Sequence, residues 1–181
     1  MQNTKKGFTL IELLIVIGIL AILVAAVVVV LNPAQLLAQA RDGQRMSDMD
    51  SLRSAINLYL ATASNATLTA TSTMTSSSTV TFTGADATQF ATVRISSSTA
   101  VNSTGWVPVD FTKITGGSPL ARLPVDPIND GAHFYAYTAN NTSSTYKLIT
   151  VLESTKYAAN MANDGGLSSS YYEIGSDVTG L

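Results

Sequence analysis

The clearest chemical signal in this sequence is a single carboxylate inside a long apolar stretch. Glu12 is the only charged residue from position 8 to 31, where most of its neighbours are Leu, Ile, Val or Ala. A helix over this stretch is long enough to cross a hydrocarbon core of roughly 30 Å. An ionised side chain in that core costs on the order of 3 kcal/mol. We therefore expect Glu12 to have a function and a cationic partner.

Two lysines before the apolar stretch predict its orientation. Lys5 and Lys6 precede Gly7, and basic residues keep the adjoining end of a membrane helix on the cytoplasmic side. The apolar run exceeds the roughly 7 to 15 residues of a cleavable secretory signal, and no small-x-small site follows it. The sequence thus predicts one pass through the inner (cytoplasmic) membrane, with lipid around the helix and the residues after Leu31 outside.

The order of these residues resembles the type IV prepilin signal, in which a basic leader ending in glycine is followed by Phe-Thr-Leu-Ile-Glu and an apolar helix. The resemblance implies that a prepilin peptidase cleaves between Gly7 and Phe8 and methylates the new N-terminus at Phe8. It also implies that Glu12 pairs with the N-terminal amine of a neighbouring subunit during assembly. A buried charge is tolerable when an opposite charge meets it. The alternative is an ordinary signal anchor in which Glu12 has no role.

The composition excludes several classes of function. The chain has no cysteine and one histidine, His133, and it contains neither a Gly-x-Ser-x-Gly elbow nor a glycine-rich phosphate loop. Because no nucleophile and base can be paired, we predict that the protein is not an enzyme. The formal net charge of -2 offers no basic footprint, so no nucleic acid contact is predicted. The missing cysteines depart from the many type IV pilins that carry a C-terminal disulfide.

Calcium is the one cofactor for which the sequence offers ligands. Asp126, Asn129 and Asp130 lie close together, and Asp164 precedes a glycine pair. Calcium takes roughly six to eight oxygen ligands, which Asp side chains and loop carbonyls supply. Major pseudopilins, to which the prepilin resemblance extends, hold calcium in a C-terminal loop, although their ligands do not match these residues one by one. Asp-Pro and Asp-Gly are also ordinary turn signals, so a turn is the alternative.

Four segments are predicted along the chain. They are a leader over residues 1–7, a transmembrane and polymerisation helix over 8–31, an amphipathic helix over 32–62, and a Ser/Thr-rich loop with a sheet head over 63–181. Pro33 lacks a backbone donor and predicts a helix break. The Arg and Asp residues between the apolar positions of the amphipathic helix predict a solvated face, with pairing between subunits as the alternative.

Short alternating segments predict an antiparallel sheet in the head. A turn rich in Asn and Ser makes two of these segments a hairpin, and Pro108 confines another to an edge. The Leu-Pro-Val-Asp-Pro motif ends at Pro127 before an aromatic strand, an order similar to the heads of major pseudopilins. We therefore predict an α+β pilin fold, a long N-terminal helix packed on a C-terminal antiparallel sheet. The predicted strands are residues 80–83, 90–95, 106–111, 133–137, 146–152 and 171–175.

Several Asn-x-Ser/Thr triplets match the N-glycosylation acceptor pattern. In a chain so rich in Asn and Thr such triplets also arise by chance, and the Ser/Thr-rich residues 62–104 are interpreted as either O-glycosylated or simply exposed and polar. The triplets begin at Asn65, Asn102, Asn140 and Asn141.

The function implied by these features is structural. The resemblance predicts a subunit of a type IV pilus-like filament, a helical homo-oligomer built by pilus or secretion assembly machinery for adhesion, motility or DNA uptake. A pseudopilin of a type II secretion system is one alternative, favoured by the missing cysteines and the Leu-Pro-Val-Asp-Pro motif. The Ser/Thr-rich loop favours an extracellular fibre over a periplasmic one. An alternative of another class is a membrane-anchored surface-binding module that does not polymerise.

Overall fold

The structure is a computed structural model that describes residues 7–68, 73–76 and 92–181. It has an N-terminal apolar helix and a C-terminal head with an antiparallel sheet, so the predicted α+β class is confirmed. The chain forms two compact units, Met1–Leu37 and Ala38–Leu181. Each is described by itself below.

The first unit contains the helix α1, Leu10–Leu31. At about 1.5 Å per residue its 22 residues span about 33 Å. The helix ends at Asn32, which adopts the left-handed conformation with φ of 40°. The helix α2, Pro33–Thr62, begins at the next residue. Proline suits this first helical position because its missing N–H would have no partner within the helix there.

Residues of α2 in the second unit bury one stripe of the helix. Their spacing of three and four residues places them on a single face. This face carries a carboxylate and a guanidinium at one end and large apolar side chains at the other. The buried residues are Ala38, Asp42, Arg45, Met49, Leu52, Ala55, Ile56 and Tyr59.

The head contains a five-stranded sheet with the strand order β2-β1-β3-β4-β5. The pairs β1–β3, β3–β4 and β4–β5 are antiparallel, whereas β1 and β2 pair in parallel. The sequence did not predict this parallel pair. The strands are β1 Thr73–Ser76, β2 Thr92–Ile95, β3 Tyr135–Asn140, β4 Thr145–Thr150 and β5 Tyr172–Gly175.

Four of the six predicted strands agree with this sheet. The predicted hairpin is confirmed as β3 and β4, with Asn140 opposite Thr145 at the turn, and the tail strand is confirmed as β5. Strand β2 lies within the predicted residues 90–95. The strand predicted at residues 80–83, like residues 90 and 91, falls outside the described residues.

The edge strand predicted at residues 106–111 is wrong. The Asp110 carboxylate accepts a hydrogen bond from the backbone N–H of Thr112 at 3.2 Å and caps a short 3-10 helix, Phe111–Lys113. The backbone N–H of Phe111 donates to the carbonyl of Val101 at 2.9 Å. Local capping and loop contacts therefore satisfy this backbone in place of a sheet ladder.

A short helix that the sequence did not predict, α3, covers Ala158–Asn163.

The main core lies between α2 and one face of the sheet. The Tyr146 hydroxyl donates to the Asn57 side chain at 2.7 Å, and Tyr59 and Phe111 form an edge-to-face ring pair at 6.2 Å. Trp106 is fully buried and contacts Tyr135. Because successive residues of a strand point to opposite faces, a second, smaller cluster forms on the other side of the sheet. It contains Phe134, Ala136, Ile149 and Tyr171.

Candidate functional site

Glu12 lies in the first turn of α1, where it forms a capping box with Thr9. The backbone N–H and the hydroxyl of Thr9 each donate to Oε2 of Glu12 at 2.8 Å. In return, the Thr9 hydroxyl oxygen accepts a hydrogen bond from the backbone N–H of Glu12 at 3.3 Å. Two orphan donors at the helix start are satisfied in this way. The capping box fixes the carboxylate at the very entry of the apolar helix.

These contacts involve only one of the two oxygens of the Glu12 carboxylate. Both hydrogen bonds from Thr9 end on Oε2, and within residues 7–68, 73–76 and 92–181 no donor reaches Oε1. The side chain is exposed in the isolated chain. Oε1 is therefore available to a donor from outside this chain, and a cationic donor would form the strongest bond.

The apolar side chains of α1 have no protein partner in the isolated unit. Leu10–Val28 is long and apolar enough to cross a membrane, by length and composition, and none of it is buried. Ile17 and Leu23, for example, are each 57% exposed. Exposing so much apolar surface to water is unfavourable at about 25 cal/mol per Å². Lipid or other apolar helices must cover it.

The predicted cleavage site precedes the helix. Gly7 and Phe8 are not helical, and Phe8 is 90% exposed. A Cβ added to Gly7 would meet nothing within 4 Å. Exposed, irregular segments of this kind are readily reached by proteases. Thr9 and Glu12 both lie after this site, so cleavage there would leave the capping box in the mature chain.

Pro33 lies immediately after the junction between α1 and α2. Asn32 separates the two helices, and its carbonyl accepts the backbone N–H of Gln35 at 3.0 Å. The left-handed Asn32 ends α1 in the manner of an αL cap, a conformation that Asn tolerates better than most residues.

A second polar site lies in the head, around the buried Arg45. Its guanidinium donates from Nε to Oδ2 of Asp126 at 2.6 Å and from Nη2 to Oδ1 at 3.1 Å. Its Nη1 donates to Asp42 at 2.8 Å and to Glu153 at 2.7 Å. Arg45 and Asp42 are fully buried, and Asp126 nearly so. A charge that is paired and makes four hydrogen bonds in this way is tolerable inside a protein.

The charged side chains around Arg45 also join α2 to the segment after β4. The Asp42 carboxylate accepts the backbone N–H groups of Glu153 at 3.0 Å and Ser154 at 2.8 Å. Arg41 donates to both oxygens of Glu153 at 2.6 and 2.7 Å. The two hydrogen bonds from Arg41, followed by the one from Arg45, lower the pKa of Glu153 to about 2. We call Arg41, Asp42, Arg45, Asp126 and Glu153 the Arg45 cluster.

The prediction of a solvated charged face on α2 is wrong for Asp42 and Arg45. Their side chains are buried, whereas Asp50 and Arg53 further along the helix are exposed, as predicted. The missed signal is spacing. Asp42, Arg45 and Met49 follow one another at spacings of three and four residues, so the two charged residues lie on the same helix face as Met49. The charges of Asp42 and Arg45 predict exposure, whereas their positions on the helix predict burial.

The candidate calcium residues accept hydrogen bonds from protein donors. Besides Arg45, the Asp126 carboxylate accepts the N–H groups of Ile128 at 2.8 Å and Asn129 at 3.2 Å. Asn129 itself is left-handed, with φ of 54°. These contacts are those of turns.

The remaining candidates make similar contacts. Asp130 accepts the N–H groups of Ala132 and His133 at 2.9 and 2.7 Å, which lowers the pKa of its carboxyl. Asp164 accepts those of Gly166 and Glu173 at 2.8 and 2.7 Å. In the part of the chain that the structure describes, no three His, Cys, Asp or Glu side chains converge as metal ligands. Calcium binding stays a prediction.

Comparison with known families identifies the N-terminal segment. Residues 2–28 match the family model described as the prokaryotic N-terminal methylation motif. This motif is the hallmark of the prepilin-type signal of type IV pilins and pseudopilins, so the resemblance found in the sequence is confirmed. It implies processing by a prepilin peptidase and fits a membrane-anchored precursor. No curated protein and no solved structure matched the chain.

Proposed function

We propose that this protein is the subunit of a type IV pilus-like filament that polymerises through α1. The observation that carries the proposal is Glu12, a carboxylate with one unused oxygen at the start of an exposed apolar helix, inside a prepilin-type motif. The role is assembly, and in this proposal the chain catalyses no reaction.

Assembly starts from the processed chain in the membrane. Cleavage after Gly7 leaves Phe8 with a free amine, which the peptidase methylates. Thr9 holds Oε2 of Glu12, and Oε1 receives the amine of a neighbouring subunit. In low dielectric this pair is far stronger than in water. A subunit that docks out of register leaves both charges buried without a partner, so the pair fixes register as well as affinity.

The apolar helices supply most of the contact area. They move from lipid into the filament core, where neighbouring α1 helices cover one another. A Cβ added to Gly18 would meet nothing within 4 Å in the isolated chain, so this position offers a place for close helix approach. Because each subunit contacts the next through different surfaces, such contacts do not close into a ring and give a fibre.

We place the filament at the cell surface, where it would serve adhesion, motility or DNA uptake. The Ser/Thr-rich residues 62–104 support this location, since such a polar connection suits an exposed fibre. A pseudopilin of a type II secretion system is the second candidate. It is favoured by the Leu-Pro-Val-Asp-Pro motif, whose Asp126 binds Arg45 in the head.

The variant Glu12→Ala tests the proposal against a membrane-anchored module that never polymerises. Losing one partner of a buried ion pair costs about 3–5 kcal/mol, a factor of more than about 100 in an assembly equilibrium. We expect the variant to enter the membrane and to be cleaved, but to vanish from sheared filaments. The non-polymerising module predicts that its behaviour is unchanged.

Two matched variants separate charge from capping. Glu12→Gln keeps an acceptor for Thr9 but removes the charge, and we expect it to assemble as poorly as Glu12→Ala. Thr9→Ala removes the cap, worth about 1 kcal/mol, but keeps the charge, and we expect it to assemble. The opposite order would show that Glu12 only caps its helix.

A further inference from the structure

The structure distinguishes among the four Asn-x-Ser/Thr triplets of the head. All four lie in described residues, yet their side chains make different contacts. Three properties separate these triplets: exposure of all three residues, a hydrogen bond from the Ser/Thr hydroxyl that orients the Asn carboxamide, and a carboxamide that does not hold another segment of the fold. The triplets begin at Asn65, Asn102, Asn140 and Asn141.

The triplet at Asn102 is exposed at all three positions. The Thr104 hydroxyl donates to Oδ1 of Asn102 at 2.6 Å, and the backbone N–H of Thr104 donates to the same oxygen at 3.1 Å. Both hydrogen bonds of the carboxamide therefore fall on its oxygen. Its Nδ2 binds no group within the described residues. The nitrogen is presented to solvent on a carboxamide whose orientation Thr104 fixes.

A rigid base supports this triplet. The backbone N–H of Gly105 donates to the carbonyl of Asn102 at 3.1 Å. The backbone N–H of Trp106, which is fully buried, donates to the carbonyl of Ser98 at 2.9 Å. A Cβ at Gly105 would come within 2.1 Å of the carbonyl oxygen of Ala100. The backbone is thus tightly packed directly beneath an exposed tip. A bulky group on Asn102 would extend into solvent and displace no core side chain.

Among the described residues, no Ser or Thr hydroxyl donates to the carboxamide of Asn140 or Asn141, and their oxygens bind backbone N–H groups instead. Oδ1 of Asn141 accepts the backbone N–H of Leu68 at 2.9 Å and so holds a distant segment. Oδ1 of Asn140 accepts the N–H groups of Thr142 at 2.9 Å and Ser143 at 3.3 Å within the β3–β4 turn. Asn140 is also half-buried at the end of β3.

The triplet at Asn65 is only partly exposed, because Ala66 is half-buried, and it lacks the contact between Asn and Thr. Asn65 is left-handed, with φ of 57°. The backbone N–H of Thr67 donates to the hydroxyl of the buried Tyr59 at 3.0 Å, and that hydroxyl donates to the carbonyl of Thr67 at 3.4 Å. Thr67 is therefore bound to the core next to Leu68, and a transferase would have to pull it away to read the triplet.

From these contacts we infer that Asn102 is the acceptor of an N-linked glycan. The inference rests on the proposed function in one respect, because the head must lie outside the cytoplasm to meet the donor. The donor is a polyprenyl-pyrophosphate-linked oligosaccharide, and the catalyst is a membrane-bound oligosaccharyltransferase.

The reaction replaces one bond to the sugar with another. Nδ2 of Asn102 attacks C1 of the first sugar and forms the C–N bond, while the C1–O bond to pyrophosphate breaks. The polyprenyl pyrophosphate leaves, and Nδ2 loses one proton to a base of the transferase. Thr104 acts as a positioning residue, since its hydroxyl fixes the carboxamide.

The test is the intact mass and peptide map of the full chain purified from its own cells. We expect a mass above that of the sequence, with the excess on the peptide that contains Asn102. Asn102→Gln should lose one glycan, Thr104→Ala should lose most of it, and Thr104→Ser should keep it. Asn65→Gln is the matched control and should leave the glycan on Asn102 in place.

Two results tell this inference apart from the proposed function. A chain that is processed at Phe8 but carries an unmodified Asn102 overturns the inference and leaves the filament intact. A chain that keeps its leader yet carries a glycan on Asn102 supports the inference and overturns the filament. A glycan that persists in Asn102→Gln also overturns the assignment to this residue.

Discussion

At the scale of single residues, the Arg45 cluster shows how a buried charge stabilises a contact between distant segments. Arg45 alone would be expensive to bury, because burial by itself would lower the pKa of its guanidinium. Its hydrogen bonds to Asp126 and Glu153 outweigh that effect and raise the pKa. The cluster holds two cations and three carboxylates, and Arg45 makes four hydrogen bonds to these three carboxylates.

Removing Arg45 is therefore expected to destabilise the head strongly. Arg45→Ala leaves Asp42 and Asp126 buried without their cation, which costs about 3–5 kcal/mol. Unfolding by urea, followed through the fluorescence of Trp106, the only tryptophan, measures the loss. The matched control is Arg53→Ala, which breaks an exposed pair with Asp50 and should cost about 0–1 kcal/mol. Equal losses in both variants would refute the structural role of the cluster.

The lowered pKa of Glu153 predicts how the stability of the head depends on pH. Its folded pKa of about 2 lies below the ordinary value of 4.5. The unfolded chain thus takes up a proton before the folded one does as the pH falls. The stability that Glu153 contributes is fully present above about pH 4.5 and is lost as the pH falls through about 2. The melting temperature of Glu153→Gln should therefore approach that of the native chain as the pH falls from about 4.5 to about 2.

The comparison of the two proteins at several pH values checks this sign. The difference in melting temperature should be largest near pH 6 and should shrink below pH 4.5. A difference that stays constant down to about pH 2 would mean that Glu153 does not titrate in this way.

At the scale of elements, the parts that follow a simple period could be predicted from the sequence. The apolar run gave α1, and alternation together with an Asn-rich turn gave the β3–β4 hairpin. The segment at residues 106–111 alternates as well, but Asp110 caps a local 3-10 helix there. The backbone N–H of Phe111 pairs with the carbonyl of Val101, which lies outside this segment. Loop contacts of this kind do not follow from the local pattern of residues.

The functional residues divide in the same way. Glu12 could be singled out as a candidate because its charge stands out against an apolar helix and belongs to a contiguous motif, and its pairing during assembly stays a prediction. The pairing of Asp126 with Arg45 could not, since the two lie 81 positions apart in the chain. The side-chain contact that separates Asn102 from the other three Asn-x-Ser/Thr triplets also appeared only in the structure.

Two glycines test how the elements are packed. Gly105→Ala would place a Cβ within 2.1 Å of the Ala100 carbonyl oxygen and 2.5 Å of Leu123. The loop must shift, which typically costs about 1–3 kcal/mol for overpacking. In Gly43→Ala the new Cβ meets nothing within 4 Å in the interior of α2. It should stabilise the helix by about 1 kcal/mol. Unfolding of both variants in urea measures these changes, and a harmless Gly105→Ala would contradict the packing described.

At the scale of the whole molecule, the chain combines an apolar helix that needs a covering with a head that supplies its own core. The head is stabilised by aromatic packing and by the Arg45 cluster. The exposed α1 carries one charge, Glu12. In the proposed filament, the apolar helices supply contact area and the ion pair of Glu12 sets the register.

The most direct test of the central claim is the intact mass and N-terminal sequence of the chain in two fractions, sheared surface material and membranes. The filament account predicts abundant chains in the sheared fraction that begin at methylated Phe8. Processed chains confined to the membrane would favour the pseudopilin. Chains that keep residues 1–7 in every fraction would contradict the account and leave an ordinary signal anchor.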